Sequence, residues 1–151
     1  MFYMEIMNFL PWIIGLLGLI VGSFLNVVIM RFGTEQGIGG RSHCPHCDHQ
    51  LAWYELIPVI SFIIQCGACR SCKKSISIQY ASVEILTALL FGFSAAVLVS
   101  RYNFLSIGQI GILIAMFLVT LSFAIAIAVY DIRHKSVPLV WLLLMLIILI
   151  L

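Results

Sequence analysis

Long apolar runs alternate with a single polar stretch along this chain. Phe9 to Met30 is apolar almost throughout, and so are Gln79 to Ser100 and Ile107 to Tyr130. Each is long enough to cross a bilayer, which takes about 20 helical residues. Backbone polar groups in lipid must be satisfied within the segment, so the pattern predicts three transmembrane helices. A fourth apolar run, Leu139 to Leu151, follows Pro138 and has 13 residues. That is short for a span, so it reads as a fourth helix cut off partway. Between the first two runs lies Arg31 to Ile78, the only sizeable polar segment. The expected organisation is therefore an external N-terminus and first membrane helix in 1–30, a polar domain in 31–78, and membrane helices, truncated at the end, in 79–151. Met1 to Asn8 offers no basic n-region and no small-residue cleavage site, so no removable signal peptide is expected.

Composition agrees with this class: 63% of residues are hydrophobic and 9% charged. An ordinary soluble domain is excluded. The net charge of +2 matters less than its placement. Arg31, Arg41, Arg70, Lys73 and Lys74 lie in the polar segment, against Glu35, Asp48 and Glu55. Short loops rich in Lys and Arg stay in the cytoplasm, so the polar segment is expected there. Arg101 and Asn103 mark a short external turn. Gln36 to Gly40 reads as a flexible link into the polar domain. Leu51 to Gln65 is apolar and aromatic but broken by Pro58, too short to span; it either covers the domain's centre or lies at the membrane interface.

All five cysteines fall in the polar segment. Cys44-x-x-Cys47 and Cys69-x-x-Cys72 form two pairs separated by 21 residues. Two such knuckles complete a tetrahedral four-thiolate site, which suits structural Zn²⁺. A polar segment this small rarely builds an adequate core alone, so a metal staple is physically reasonable. Two disulfides would need an oxidising compartment. Redox chemistry at a Cys-x-x-Cys would need a thioredoxin-like βαβ context, which the pattern lacks. Cys66 makes another Cys-x-x-Cys step with Cys69 and is read as the spare thiol. His43, His46 and His49 are weaker ligand candidates.

Three polar features of the membrane runs stand out. Gly18, Gly22 and Asn26 recur every four residues and share one helix face, with Ser23 beside them. The plain reading is a close-packed helix contact, since small residues let helices approach; the sharper one is that Asn26 lines a polar cavity. Glu84 lies about a turn inside the second span, as an interfacial carboxylate or a functional intramembrane acid. Asp131 ends the third span, either solvated beside Arg133 and Lys135 or acting as a catalytic acid.

Three blocks together resemble the bacterial type IV prepilin leader peptidases, a membrane aspartic peptidase family, over its N-terminal portion. They are GLIVGSFLNVVIMR (Gly18 to Arg31), the run from Cys44 to Phe91 with CPHC, LAWYELIPVISF, CGACRSCKKSIS and YASVEILTALLF, and YDIRHKSVP around Asp131. The resemblance implies cleavage of prepilin or pseudopilin leader peptides at the cytoplasmic face of the bacterial inner membrane, with no role for nucleic acid. It implies two aspartates sharing acid and base duties. Asp131 matches the first. The second belongs to a Gly-x-Gly-Asp motif that does not occur in these 151 residues, so this chain alone is expected to be inactive. Glu84 matches a family glutamate. Many members also methylate the new N-terminus with S-adenosylmethionine, although no Gly-rich nucleotide motif occurs here. The chain departs from the family at Gly33, Ala81 and Leu139. The alternative is a non-catalytic membrane zinc protein that serves docking, assembly or regulation. A membrane thiol oxidoreductase is a third class, disfavoured by the expected cytoplasmic location.

Overall fold

The structure, a computed structural model, describes residues 2–34, 37, 39–102 and 104–150, with the side chains of 2–6 and 150 excepted. Glu35, Gln36 and Ile38 of the expected link, Asn103 of the external turn, and Leu151 lie outside the described residues. The described chain is helical apart from loops, with the elements α1 (Phe2–Arg31), a 3₁₀ turn (Trp53–Leu56), α2 (Ile60–Ile64), α3 (Gln79–Arg101), α4 (Ile107–His134) and α5 (Leu139–Ile150). Three of these are long and apolar enough to cross a membrane: Met7–Arg31, Gln79–Arg101 and Ile107–His134. α1 begins earlier than the apolar run suggests and carries Pro11 inside it. α4 starts on Ser106, whose Oγ accepts the Gln109 N–H, and stops where Lys135 turns left-handed at φ 52°. α5 is the shorter apolar helix that follows Pro138.

The bundle is organised on one seam. α1 and α3 make by far the most extensive helix contact. A Cβ built on Gly18 would lie 2.7 Å from the Ala88 Cα, and one on Gly22 would lie 2.8 Å from the Glu84 Cα. Backbones this close leave no room for a side chain, which is why both positions are glycine. Two apolar clusters flank the seam. Toward the polar domain, Leu25, Ile29, Val83, Ile125, Ala126 and Trp141 are buried together. Tyr130 meets Phe32 and Trp141 edge-on there, and the Phe32 and Trp141 rings are tilted with centroids 4.4 Å apart. At the opposite end, Phe91, Ile110, Ile114 and Leu118 form the second cluster.

The polar domain has no comparable core. Among its described residues only Cys44, Glu55 and Cys69 are buried. Its backbone order comes from the 3₁₀ turn, the five-residue α2 and two isolated antiparallel bridges, His43 with Gln50 and Ala68 with Ser75.

Candidate metal centre and the carboxylates at its membrane face

The two cysteine pairs fold into the same backbone knuckle twice. In the first, the Asp48 N–H donates to the Cys44 carbonyl at 3.0 Å and the Cys44 N–H to the His49 carbonyl at 2.9 Å. In the second, the Lys73 N–H donates to the Cys69 carbonyl at 2.9 Å and the Cys69 N–H to the Lys74 carbonyl at 2.9 Å. Asp48 and Lys73 both turn through positive φ, 53° and 59°. These turns bend the chain back at each knuckle, so both thiols of a pair face the same point.

The Sγ atoms of Cys44, Cys47, Cys69 and Cys72 all lie within 4.8 Å of one another. Cys44 and Cys72 Sγ are 3.9 Å apart. Four thiolates on a tetrahedral ion with bonds of about 2.3 Å would be about 3.8 Å apart, so the donor set is close to the size a metal requires. Electrostatics point the same way. Backbone N–H groups of Cys72 and Ser71 lower the Cys69 thiol from 9.0 to about 6. The backbone at His49 lowers Cys47, but desolvation and the other three sulfurs outweigh it and push that thiol up to about 12. Four sulfurs this close cannot all ionise without a cation between them.

Cys66 stands outside the cluster, exposed and at φ 51°. The histidines are not brought to it either. The His43 ring lies 3.2 Å from the Arg41 carbonyl, and His49 Nε2 lies 3.6 Å from Glu55. Glu55 is a residue the sequence reading passed over. Its Oε2 accepts the Ala52 N–H at 2.9 Å and closes the start of the 3₁₀ turn. The spacing of three residues back to Ala52 is a capping pattern, and that was the available signal.

A hydrogen-bonded clamp joins the polar domain to the membrane bundle. Pro58, Val59 and Ile60 form a γ-turn, with the Ile60 N–H 2.6 Å from the Pro58 carbonyl. Its central residue, Val59, sits at φ 61° and ψ −47°. This is the strained form of that turn, costing about 1–3 kcal/mol for a residue with a side chain. The Val59 N–H donates to Glu84 Oε2 at 2.7 Å. Asn26, fully buried, donates from Nδ2 to the Tyr80 carbonyl at 3.0 Å, while its Oδ1 has no protein partner. Gly18, Gly22 and Asn26 thus all face α3, and Asn26 lies in the helix seam.

Asp131 occupies the last turn of α4 and is exposed. Its carbonyl accepts the Lys135 N–H at 2.7 Å. Two residues on, Arg133 reaches across to the Gln79 side chain at 3.3 Å, which ties the end of α4 to the start of α3. Asp131 therefore lies at the same end of the bundle as Glu84, Asn26 and the cysteine domain.

Residues 16–98 match the family model described as the bacterial peptidase A24 N-terminal domain. The prepilin leader peptidase/N-methyltransferase of Myxococcus xanthus is 55% identical over 76 residues, covering 50% of this chain and 23% of that protein. The enzyme of the same name from Neisseria gonorrhoeae is 33% identical over 153 residues, covering 85% of this chain and 52% of that one. For Pseudomonas aeruginosa the identity is 34% over 147 residues, covering 82% and 47%. At its longest matches, the chain spans about half the length of these curated relatives. No solved structure matches it.

Proposed function

Since the chain belongs to the family of the bacterial peptidase A24 N-terminal domain, we propose that it serves prepilin processing, supplying one catalytic carboxylate and the docking domain of a membrane aspartic peptidase. The observation that carries this is the position of Asp131, an exposed carboxylate at the end of α4 where the cysteine domain also meets the bundle. A leader peptide lying along that boundary would present its scissile bond to Asp131. Hydrolysis by paired carboxylates needs one to take the proton of the attacking water and the other to donate to the leaving amine. Glu84 is buried and bonded through Oε2 to the Val59 N–H, and in this reading it serves the packing of the two domains instead of acting as the second acid. These 151 residues carry no Gly-x-Gly-Asp motif, so the chain by itself should not cleave prepilin.

The domain limits follow the same reading: 1–30, 31–78 and 79–151. We place the cysteine domain in the cytoplasm of a bacterial inner-membrane protein, with the N-terminus outside. Of the eight Lys and Arg residues, only Arg101 lies at the opposite end of the bundle, as the positive-inside rule requires of the external side. The metal is zinc, held by Cys44, Cys47, Cys69 and Cys72. Four thiolates leave no open position, so it would supply structure and no catalytic water. N-methylation, which the relatives' names include, we leave with those relatives. None of the residues described here is assigned to S-adenosylmethionine. The second reading, a docking or assembly role without catalysis, is favoured by the closed four-sulfur set and applies to the 151-residue chain by itself.

The test is leader cleavage of a type IV prepilin in membranes carrying the protein encoded by the whole reading frame. Asp131→Asn should abolish cleavage at unchanged protein level. Cleavage retained in that variant would refute the role given to Asp131.

A further inference from the structure

The 3₁₀ turn and α2 carry a face that the protein leaves uncovered. Trp53 is 77% exposed, Ile63 66% and Ile64 75%, with Ile60 also exposed. A small polar domain with so thin a core would be expected to bury such residues first. What prevents this is the clamp described above. Glu84 lies five residues past Gln79, which begins α3, so the Val59 N–H is held about 7.5 Å along the helix axis from its start. The segment that follows Val59 is thereby fixed at the depth of the first turns of a membrane-spanning helix.

We propose that the segment from Trp53 to Ile64 is an interfacial membrane anchor, with the lipid headgroup–acyl boundary as its partner. Amphipathic segments of this kind bury their apolar face about 5–10 Å into that boundary, which matches the depth set by the clamp. Trp53 and Tyr54 are the residue types that favour it. Arg70 lies over the Tyr54 ring at 5.6 Å, where a cation meets the phosphate layer. Glu84 is the positioning residue: its carboxylate fixes the strained turn that directs α2 into lipid instead of back onto the cysteine knuckles. The anchor in turn fixes the height of the cysteine domain above the bundle.

The experiment uses the 151-residue chain in phosphatidylcholine/phosphatidylglycerol nanodiscs and reads the fluorescence of Trp53. Subtracting the Trp53→Phe spectrum from the unsubstituted one isolates it without disturbing Trp12 or Trp141. Doxyl groups carried on the lipid near the headgroup should quench that component at least about twofold more than doxyl groups near the acyl end, as expected for a face seated about 5–10 Å deep. Acrylamide in the water should quench it weakly. Strong acrylamide quenching with no lipid-borne quenching would overturn the proposal, because the face would lie in water. Protection from both quenchers would overturn it too, because a second copy or another protein would then cover the face. Glu84→Leu should raise acrylamide quenching and lower quenching near the headgroup, whereas Glu84→Gln, which keeps an acceptor oxygen, should leave Trp53 in place. If Glu84→Leu keeps its helix content and Trp53 stays at the same depth, the clamp is refuted.

Discussion

Gly18→Ala tests whether the α1–α3 seam holds the bundle together. The new Cβ would lie 2.7 Å from the Ala88 Cα, 2.9 Å from the Thr87 carbonyl oxygen and 3.0 Å from the Phe91 Cβ. The two nearest atoms are backbone, so the whole of α3 must shift instead of a side chain yielding. Overpacking of this kind costs about 1–3 kcal/mol. Alanine returns up to about 1 kcal/mol through its better helix propensity. The same gain applies at Gly111 of α4, where a Cβ would meet nothing within 4 Å. The difference between Gly18→Ala and Gly111→Ala therefore isolates the seam, at about 1–3 kcal/mol in favour of the Gly111 variant. Each 1.4 kcal/mol is about tenfold in the unfolding equilibrium constant. The assay is reversible unfolding in mixed micelles, followed by circular dichroism of the helices. Equal stability of the two variants would refute the reasoning, because it would mean that α3 does not rest on Gly18.

Three further outcomes are expected. Cys44→Ser should reduce bound zinc from about one ion per chain to near zero, measured by elemental analysis, and should expose the 31–78 segment to protease; unchanged values would reject the four-thiolate site. In the metal-free chain, thiolate ultraviolet absorbance should rise first near pH 6 as Cys69 ionises, while Cys47 should stay protonated until about pH 12. Because the Cys69 value is depressed from 9.0, its stabilising contribution in the metal-free chain is complete above pH 9 and lost as pH falls through about 6. In the protein expressed from the whole reading frame, Asp131→Asn should lower the rate of leader cleavage by about 10²–10⁴-fold, the usual size of a general acid–base contribution, whereas the 151-residue chain by itself should show no cleavage in the same assay.

The sequence by itself determined the membrane class, because three apolar runs of spanning length leave a helix in lipid as the only satisfactory state. It also determined the cysteine knuckles. Their spacing is local, and a Cys-x-x-Cys step lets two thiols converge where the backbone closes into a knuckle. It placed Gly18, Gly22 and Asn26 on one face, because helical periodicity needs no knowledge of the partner. Only the tertiary structure decided what that face meets: α3, with Asn26 in the seam and bonded to the Tyr80 carbonyl. The sequence already marked Cys66 as the spare thiol, and the structure leaves it outside the sulfur cluster, where the knuckle of Cys69 closes on Lys74. Glu84 is the clearest case. An acid a turn inside a span reads equally as interfacial or functional, because the group that answers it, the N–H of Val59, lies 25 residues away in sequence. Contacts between residues so far apart depend on how the helices pack, and no local pattern in the chain encodes them.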